Sequence, residues 1–161
     1  MDVPVGGTKM EAVNKFKAKG FSVVKLEDTY VRMQGKMGNT NIELAIVTSP
    51  ITFSVWKYSV YLPKRDTWYE LKSEFESYKS TLVSKYGEPT SDYHFFSNPY
   101  DEGDGYELSA ITLGKCSFSS FWGEKMSLQI SKYKQVNISY ENPVNSKLDD
   151  EEKEKLKLKN F

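Results

Sequence analysis

The chain has 161 residues, of which 39% are hydrophobic and 27% are charged, a composition typical of a folded globular domain. Its 22 lysines and arginines balance 22 aspartates and glutamates, so the formal net charge is zero, which argues against a nucleic-acid binder. The single cysteine, Cys116, excludes an intrachain disulfide and a cysteine-rich zinc site, and no apolar run has the length of a membrane span.

The first predicted element is a short helix near the N-terminus. Thr8 and Glu11 form a capping-box pattern, in which each side chain accepts a hydrogen bond from the backbone N–H of the other. Apolar residues then recur at helical spacing, and Gly20 is a typical C-terminal stop. The pattern predicts a helix over about residues 8–19.

Short strands follow this helix, since apolar and polar residues alternate between turn residues. They are predicted as two strands on either side of Glu27–Asp28, one over 41–48 and a long one over 51–62. Because strand side chains alternate, four residues of the long strand share one face: Trp56, Tyr58, Val60 and Leu62.

The same order of elements begins again after residue 63. Thr67 and Glu70 form a second capping-box pattern, and four apolar residues follow at helical spacing: Leu71, Phe75, Tyr78 and Leu82. Tyr86 and Gly87 end this second helix. Further strands are predicted over about 92–97, 106–113, 115–122, 126–132 and 135–141.

This order predicts an α+β fold, with two helices packed on one face of an antiparallel sheet that is built from two tandem α-β-β-β(-β) repeats. A lone helix over a few strands buries little apolar surface, whereas two such units share a wider sheet. We expect one domain over residues 1–141, with repeats over about 6–63 and 66–141. Half of residues 142–161 are charged, which predicts a charged C-terminal tail, either a frayed helix or disordered.

An acidic stretch, NPYDEGDGYE at 98–107, combines four carboxylates with two glycines. Its spacing does not match a calcium-binding EF-hand loop, and neighbouring carboxylates on a turn are not held across a cleft as in glycosidases. Asn, Pro, Asp and Gly favour a turn that leads into a hairpin strand. Cation binding by Asp101–Glu107 remains an alternative. No metal site and no cofactor are predicted.

The two residues best suited to catalysis have simpler interpretations. His94, the only histidine, is interpreted as a strand-edge residue, and Cys116 as a buried, inert thiol among apolar neighbours. The chain is therefore predicted not to be an enzyme and has no predicted catalytic residue. A hydrolase that uses His94 remains an alternative, which requires a Ser, Cys or carboxylate within hydrogen-bond reach of His94 in a cleft.

Aromatic residues give the best functional signal. Trp56 and Tyr61 cannot both face the helices, so some rings lie on the other, open face of the sheet. Exposed Tyr and Trp are enriched at protein interfaces. We therefore predict a protein-binding or inhibitor module that contacts another protein through Trp56, Tyr58 and Tyr61. An open face that is polar throughout would contradict this prediction. The alternative is a small-ligand carrier or sensor of the cell envelope, with a pocket near Trp68 and Phe75.

Three motifs carry a resemblance to a known group of proteins: the G-T…A-K-G-F helix, the K-Y-G-E-P helix end and the Y-D-E-G-D-G-Y-E turn. Over nearly its whole length the chain resembles a family of small, usually exported proteins common in gut Bacteroidetes. Members usually have a signal peptide before a Met-x-Ile-Pro segment, on which Met1–Pro4 falls. The resemblance implies a periplasmic or secreted protein whose leader was removed before Met1, and otherwise a cytoplasmic one.

The predicted topology is also similar to the β-lactamase-inhibitor-protein-like (BLIP-like) architecture and, more loosely, to PepSY-type domains. Those domains bind proteins or peptides over an open sheet face and are not enzymes. This similarity implies a binding role and transfers no individual residue, since fold does not determine function.

Overall fold

A computed structural model describes residues 2–161, which form four helices and eight strands. In chain order these are α1 (Lys9–Ala18), β1 (Ser22–Leu26), β2 (Tyr30–Met37), β3 (Thr40–Thr48), β4 (Val55–Tyr61), α2 (Trp68–Tyr86), β5 (Ser91–Phe96), α3 (Glu107–Thr112), β6 (Cys116–Trp122), β7 (Met126–Ile130), β8 (Val136–Glu141) and α4 (Pro143–Lys159). The strands form one antiparallel sheet in the order β1-β2-β3-β4-β8-β7-β6-β5. The predicted α+β fold class is confirmed.

Two compact units make up the chain. One comprises the residues up to Val60 together with Ser139–Phe161, and the other comprises Tyr61–Ile138. Each half of the chain supplies a helix followed by four strands, with α3 and α4 as additions in the second half. The descent of these halves from a tandem repeat, their grouping into one domain over 1–141 and the placement of two helices on one sheet face stay predictions. Among residues 2–161, no helix is both long and apolar enough to span a bilayer.

Helix α1 begins in the first unit with the predicted capping box. The backbone N–H of Glu11 donates to Thr8 Oγ1 over 3.2 Å, and the N–H of Thr8 donates to Glu11 Oε2 over 3.4 Å. The helix buries Ala12, Val13 and Phe16 and packs on β1, β2 and β3. This helix was the first predicted element, and it is confirmed.

The face of β2 and β3 that is turned away from α1 is mostly polar. Met33 lies opposite Leu44 in the ladder, and both are fully buried on the α1 side. On the other side, the guanidinium of Arg32 forms an exposed ion pair with Glu43 over 3.3 Å. Tyr30, which is half-buried and lies opposite Val47, is the one aromatic residue that β2 and β3 place on this face.

Residues 142–161 do not form a disordered tail, because most of them belong to helix α4. Asn142 caps the helix, since its Oδ1 accepts hydrogen bonds from the N–H groups of Val144 and Asn145, each over 3.1 Å. Asp149 and Glu152, one helical turn apart, are both buried. The charged composition suggested a solvated segment, but two of its carboxylates lie inside the first unit.

Glu152 is fixed by the loop before β4. Its carboxylate accepts hydrogen bonds from Ile51 N (2.8 Å), Thr52 N (3.1 Å) and Thr52 Oγ1 (2.5 Å), and only 2% of the residue is exposed. The predicted strand over 51–62 therefore starts only at Val55. Its first residues direct their N–H groups to this carboxylate instead of to a neighbouring strand.

Helix α2 belongs to the second unit, and its N-terminus differs in part from the prediction. The N–H of Glu70 donates to Thr67 Oγ1 over 3.2 Å, but the Glu70 carboxylate accepts from the Thr67 hydroxyl instead of from its backbone. The second predicted capping box is thus only half formed. Leu71, Phe75 and Leu82 are buried as the helical spacing predicts.

The predicted strand over 106–113 is wrong, since Glu107–Thr112 forms helix α3. Its buried residues, Glu107, Ala110 and Ile111, recur at helical spacing, and Ala, Glu and Leu favour helices. Glu107 Oε1 also accepts hydrogen bonds from Gly103 N (3.0 Å) and Gly105 N (3.4 Å). The acidic turn therefore leads into a helix and not into a hairpin strand.

We expect the substitution Glu152→Gln to lower the free energy of unfolding by about 2 kcal/mol near neutral pH, because hydrogen bonds to a buried carboxylate are weakened. Urea denaturation measures this change. The matched control is Glu154→Gln on the same helix, whose side chain is 66% exposed and which should change stability by less than about 0.5 kcal/mol.

The same pair of proteins also tests the charge on Glu152. Burial opposes its ionisation, but hydrogen bonds from Thr52 and Ile51 outweigh burial and hold the pKa at about 2, below the ordinary 4.5. A lowered folded-state pKa gives stability that is present above pH 4.5 and is lost as the pH falls toward 2. The stability difference between wild type and Glu152→Gln should shrink over that range, and a constant difference would contradict this assignment.

Candidate functional site

Strand β5 lies at one end of the sheet and has β6 as its only neighbour in the strand order. The β5–β6 ladder is regular from the pair Ser91–Phe121 to the pair Phe96–Cys116. Because side chains alternate along a strand, the residues of β5 divide between two faces. Asp92, His94 and Phe96 lie on one face, and Ser91, Tyr93 and Phe95 lie on the other.

The first face packs against helix α2 through aromatic rings. Phe118 of β6 is buried, and the ring of His94 stacks on it at 4.7 Å with an interplanar angle of 4°. Trp68 and Phe75 of α2 meet Phe118 edge to face at 5.1 and 5.8 Å. These rings contact Trp68 and Phe75, beside which the sequence predicts a ligand pocket.

A polar cluster continues this face toward the end of β5. The ammonium of Lys79 pairs with Asp92 Oδ2, while Ser120 Oγ donates to Asp92 Oδ1 over 2.6 Å. His94 Nε2 lies 3.2 Å from the same Oδ1 atom. Burial opposes ionisation of Asp92, but the hydrogen bonds from Lys79 and Ser120 keep its pKa below the usual value. Asp92 therefore holds a charge that links α2, β5 and β6.

This cluster meets only one requirement of the hydrolase alternative. Asp92 is within hydrogen-bond reach of His94, as that alternative requires. In a serine hydrolase, however, the imidazole lies between the hydroxyl and the carboxylate and takes the hydroxyl proton. Here the carboxylate lies between them, and the Ser120 hydroxyl donates to Asp92. The interpretation of His94 as a strand-edge residue is confirmed.

The second face of β5 carries exposed aromatic rings. Tyr93 and Phe95 are 47% and 51% exposed, and the half-buried Phe121 of β6 lies beside Tyr93, with 6.1 Å between ring centroids. We call Tyr93, Phe95 and Phe121 the aromatic shelf. Ser117 and Ser119 lie opposite Phe95 and Tyr93 on β6, so small polar residues border the rings. An apolar centre with a polar border is typical of a protein-binding surface.

Tyr58 does not lie on an exposed surface, so its predicted role as an exposed binding residue is wrong. Only 1% of the residue is exposed, and its hydroxyl donates to the carbonyl of Pro4 over 3.0 Å. Its ring meets Phe16 of α1 edge to face at 5.0 Å. Burial raises the pKa of Tyr58 to about 12, because the phenolate would lose its solvation. Tyr58 is a core residue of the first unit.

The other two predicted binding residues are half-buried. Trp56 is on the same face of β4 as Tyr58, and the ammonium of Lys153 lies 5.7 Å from its ring centroid. Tyr61 lies on the opposite face of β4, as strand alternation predicts. The structure thus does not bring Trp56, Tyr58 and Tyr61 together as one exposed surface.

The acidic stretch is a turn, as the sequence predicts, and its carboxylates serve its own backbone. Asp104 Oδ2 accepts from Asp101 N over 2.9 Å, and Asp104 Oδ1 accepts from Tyr106 N over 2.7 Å. Glu102 pairs instead with Lys72 of α2. Across residues 2–161, no group of three or more His, Cys, Asp or Glu side chains is placed to hold a metal ion.

Cys116 is half-buried and poorly suited to nucleophilic chemistry. Burial raises the pKa of its thiol to about 12, and the nearby charge of Glu102 adds to this effect. At neutral pH the sulfur is therefore protonated, whereas the thiolate is the reactive form.

The second unit also carries an open groove with a volume of about 330 Å³, and no residue of the aromatic shelf lines it. It is lined by α3 and the turn before β8, through Leu108, Ser109, Thr112, Leu113 and Lys134. Its lining combines apolar side chains with one ammonium group, which suits a small amphiphilic anion.

Phe118→Ala should lower the free energy of unfolding by about 3 to 5 kcal/mol, because a buried ring that contacts α2 and β5 is lost. Urea denaturation followed by tryptophan fluorescence measures this loss. Phe95→Ala removes an exposed ring on the other face, so we expect a change below about 0.5 kcal/mol. Equal losses in the two variants would contradict the assignment of the faces of β5.

Comparison with models of protein families, with curated proteins and with solved structures gives no match for this chain. The predicted relation to the Bacteroidetes family, and the topological similarity to BLIP-like and PepSY-type domains, therefore stay predictions.

Proposed function

We propose that the chain is a non-enzymatic protein-binding or inhibitor module that contacts another protein through the aromatic shelf. The single observation that carries this proposal is the exposure of Tyr93 and Phe95, at 47% and 51%, side by side on one strand. Isolated exposed apolar residues need no explanation, but adjacent aromatic rings form a contiguous patch. Such rings are the usual anchors of a protein interface.

The support behind β5 suits it to this role. On its other face, His94 stacks on Phe118 and Asp92 pairs with Lys79, so the strand is held from behind. Rings presented by a fixed strand lose little conformational entropy when a partner binds. The shelf would insert Tyr93 and Phe95 into an apolar pocket of the partner, and the tyrosine hydroxyl would donate a hydrogen bond at its rim.

This proposal keeps the protein-binding role predicted from the sequence but assigns it to other residues. The binding roles of Trp56 and Tyr61 stay predictions, while Tyr58 contributes to the core. A periplasmic or secreted location is part of the proposal, and a cytoplasmic one is its alternative. Partners are accordingly sought in both kinds of extract.

A small-ligand carrier or sensor is the second candidate function, and the groove beside α3 favours it. Lys134 would pair with an anionic group while Leu108 and Leu113 contact an apolar part of the ligand. A thermal-shift screen with small organic anions tests this candidate. Binding that disappears with Lys134→Ala would support it, and stabilisation that is unaffected by this variant would place the ligand elsewhere.

For the protein-binding proposal, the test is capture of a partner by the tagged protein from cell-envelope and cytosolic extracts, quantified by mass spectrometry. Combining Tyr93→Ser with Phe95→Ser should weaken capture of a stoichiometric partner by roughly 100-fold, because two anchor rings are lost.

The matched control combines Tyr69→Ser with Tyr133→Ser, which also removes two rings, 81% and 58% exposed, from the second unit. Capture that falls equally in both double variants would show that the shelf has no specific role. No partner in either extract would count against the proposal and favour the small-ligand candidate.

A further inference from the structure

The outer edge of β5 presents backbone groups that β6 does not use. The N–H of Ser97 donates to the carbonyl of Lys115 over 2.8 Å, in step with the β5–β6 register. Hydrogen-bonded and non-hydrogen-bonded pairs alternate along an antiparallel ladder. Residues 91, 93 and 95 therefore bond to β6, while the N–H and C=O groups of Asp92, His94 and Phe96 point away from the sheet.

This edge lacks the usual protection against pairing. The other edge strand, β1, has a register shift between Val23 and Lys25, and such bulges disrupt edge-to-edge pairing. By contrast, β5 pairs regularly over all six residues and contains no proline. Its one acidic residue, Asp92, is paired with Lys79 on the α2 side of the strand.

β5 itself has the pattern that this edge would accept. Aromatic residues Tyr93 and Phe95 alternate with polar residues Asp92 and His94, so a second copy of β5 can match shelf to shelf and polar face to polar face. In a two-fold antiparallel pair, the outward-pointing residues must lie opposite one another. The two-fold axis must therefore pass between the two copies of one residue of β5. The side chains that each choice places opposite one another decide which residue this is.

Charge complementarity selects the register. An axis at Asp92 would place two carboxylates opposite each other, and an axis at His94 would place two imidazoles opposite each other. An axis at Phe95 would place His94 opposite Phe96 and leave Asp92 without an opposite charge. With the axis at Tyr93, Asp92 of each copy lies opposite His94 of the other, and the two Tyr93 rings meet beside both Phe95 rings. Asp92 accepts two hydrogen bonds within its own chain, from Lys79 and Ser120, which leaves acceptor positions for this contact among its roughly four.

We propose that the chain forms a two-fold dimer through antiparallel pairing of β5 with β5 of a second copy, with Tyr93 at the axis. The pairing uses the edge of β5, so it goes beyond the binding of another protein by the shelf and stands independently of it. One short strand buries less surface than the roughly 1,200 Å² of a stable interface, so the dimer should be weak and concentration-dependent.

Sedimentation equilibrium of the whole chain is the first test. We expect a reversible dimer to populate by about 1 mM protein, and Tyr93→Lys to raise its dissociation constant at least tenfold by placing two ammonium groups together, by about 1.4 kcal/mol or more. The matched control is Val24→Lys on the β1 edge, where Val24 is 50% exposed and should not matter. A wild-type monomer throughout, or a dimer disrupted only by Val24→Lys, would overturn the proposal.

Disulfide trapping then tests the register, in a background with Cys116→Ser. Opposed residues in a non-hydrogen-bonded pair have Cα atoms about 4.5 Å apart, a distance that a disulfide spans. Tyr93→Cys should therefore cross-link under mild oxidation, whereas Phe95→Cys should not, because its two copies lie about 14 Å apart. Cross-linking of Phe95→Cys alone would refute this register. A wild-type protein that forms the dimer but captures no partner would refute only the proposed function.

Discussion

The stacking of His94 on Phe118 determines what the second unit presents to its surroundings. Since the imidazole lies on the α2 side of β5, strand alternation places Asp92 and Phe96 there as well. Tyr93 and Phe95 are thereby turned outward, although they are as apolar as the buried rings. A shift of β5 by one residue would turn Tyr93 and Phe95 toward α2 and would turn His94 and Phe96 away from Phe118. The buried edge-to-face contacts around Phe118 oppose such a shift, so the exposure of the shelf follows from the packing beneath it.

Local patterns in the sequence predict much of the fold, and the errors arise where distant residues intervene. The Thr8–Glu11 capping box involves neighbours in the chain, so its pattern suffices to predict α1. The start of β4 depends on Glu152, which is 100 residues away from Thr52, and no local pattern contains that contact. The sequence of residues 106–113 fits both the helical period of about 3.6 residues and the strand period of two. Only the burial of Glu107, Ala110 and Ile111 distinguishes a helix from a strand.

The sequence predicts that aromatic residues are exposed on one face of a strand, but it does not identify β5 as that strand. Alternation correctly separates Trp56 from Tyr61, yet it does not say which face a helix covers. Tyr58 lies on the covered face because α1 packs there through Phe16. The same alternation separates Tyr93 and Phe95 from Asp92 and His94 in DYHFF. That signal is present in the sequence, but its meaning depends on Phe118, which lies more than twenty residues away and determines which side faces α2.

The two faces of strand β5 differ in how freely another chain can contact them. Lys79, Asp92 and Ser120 form a polar cluster on the α2 side, where an approaching strand would have to compete with an ion pair. The opposite side offers only aromatic rings with small polar neighbours, and the edge between the two offers free backbone groups. An exposed, regular, partly aromatic edge favours association with other chains. A two-fold contact satisfies this edge and closes on itself, whereas a head-to-tail contact would propagate into a filament. The one carboxylate of β5 therefore matters twice, since Asp92 ties the strand to α2 and restricts which registers a second strand can adopt.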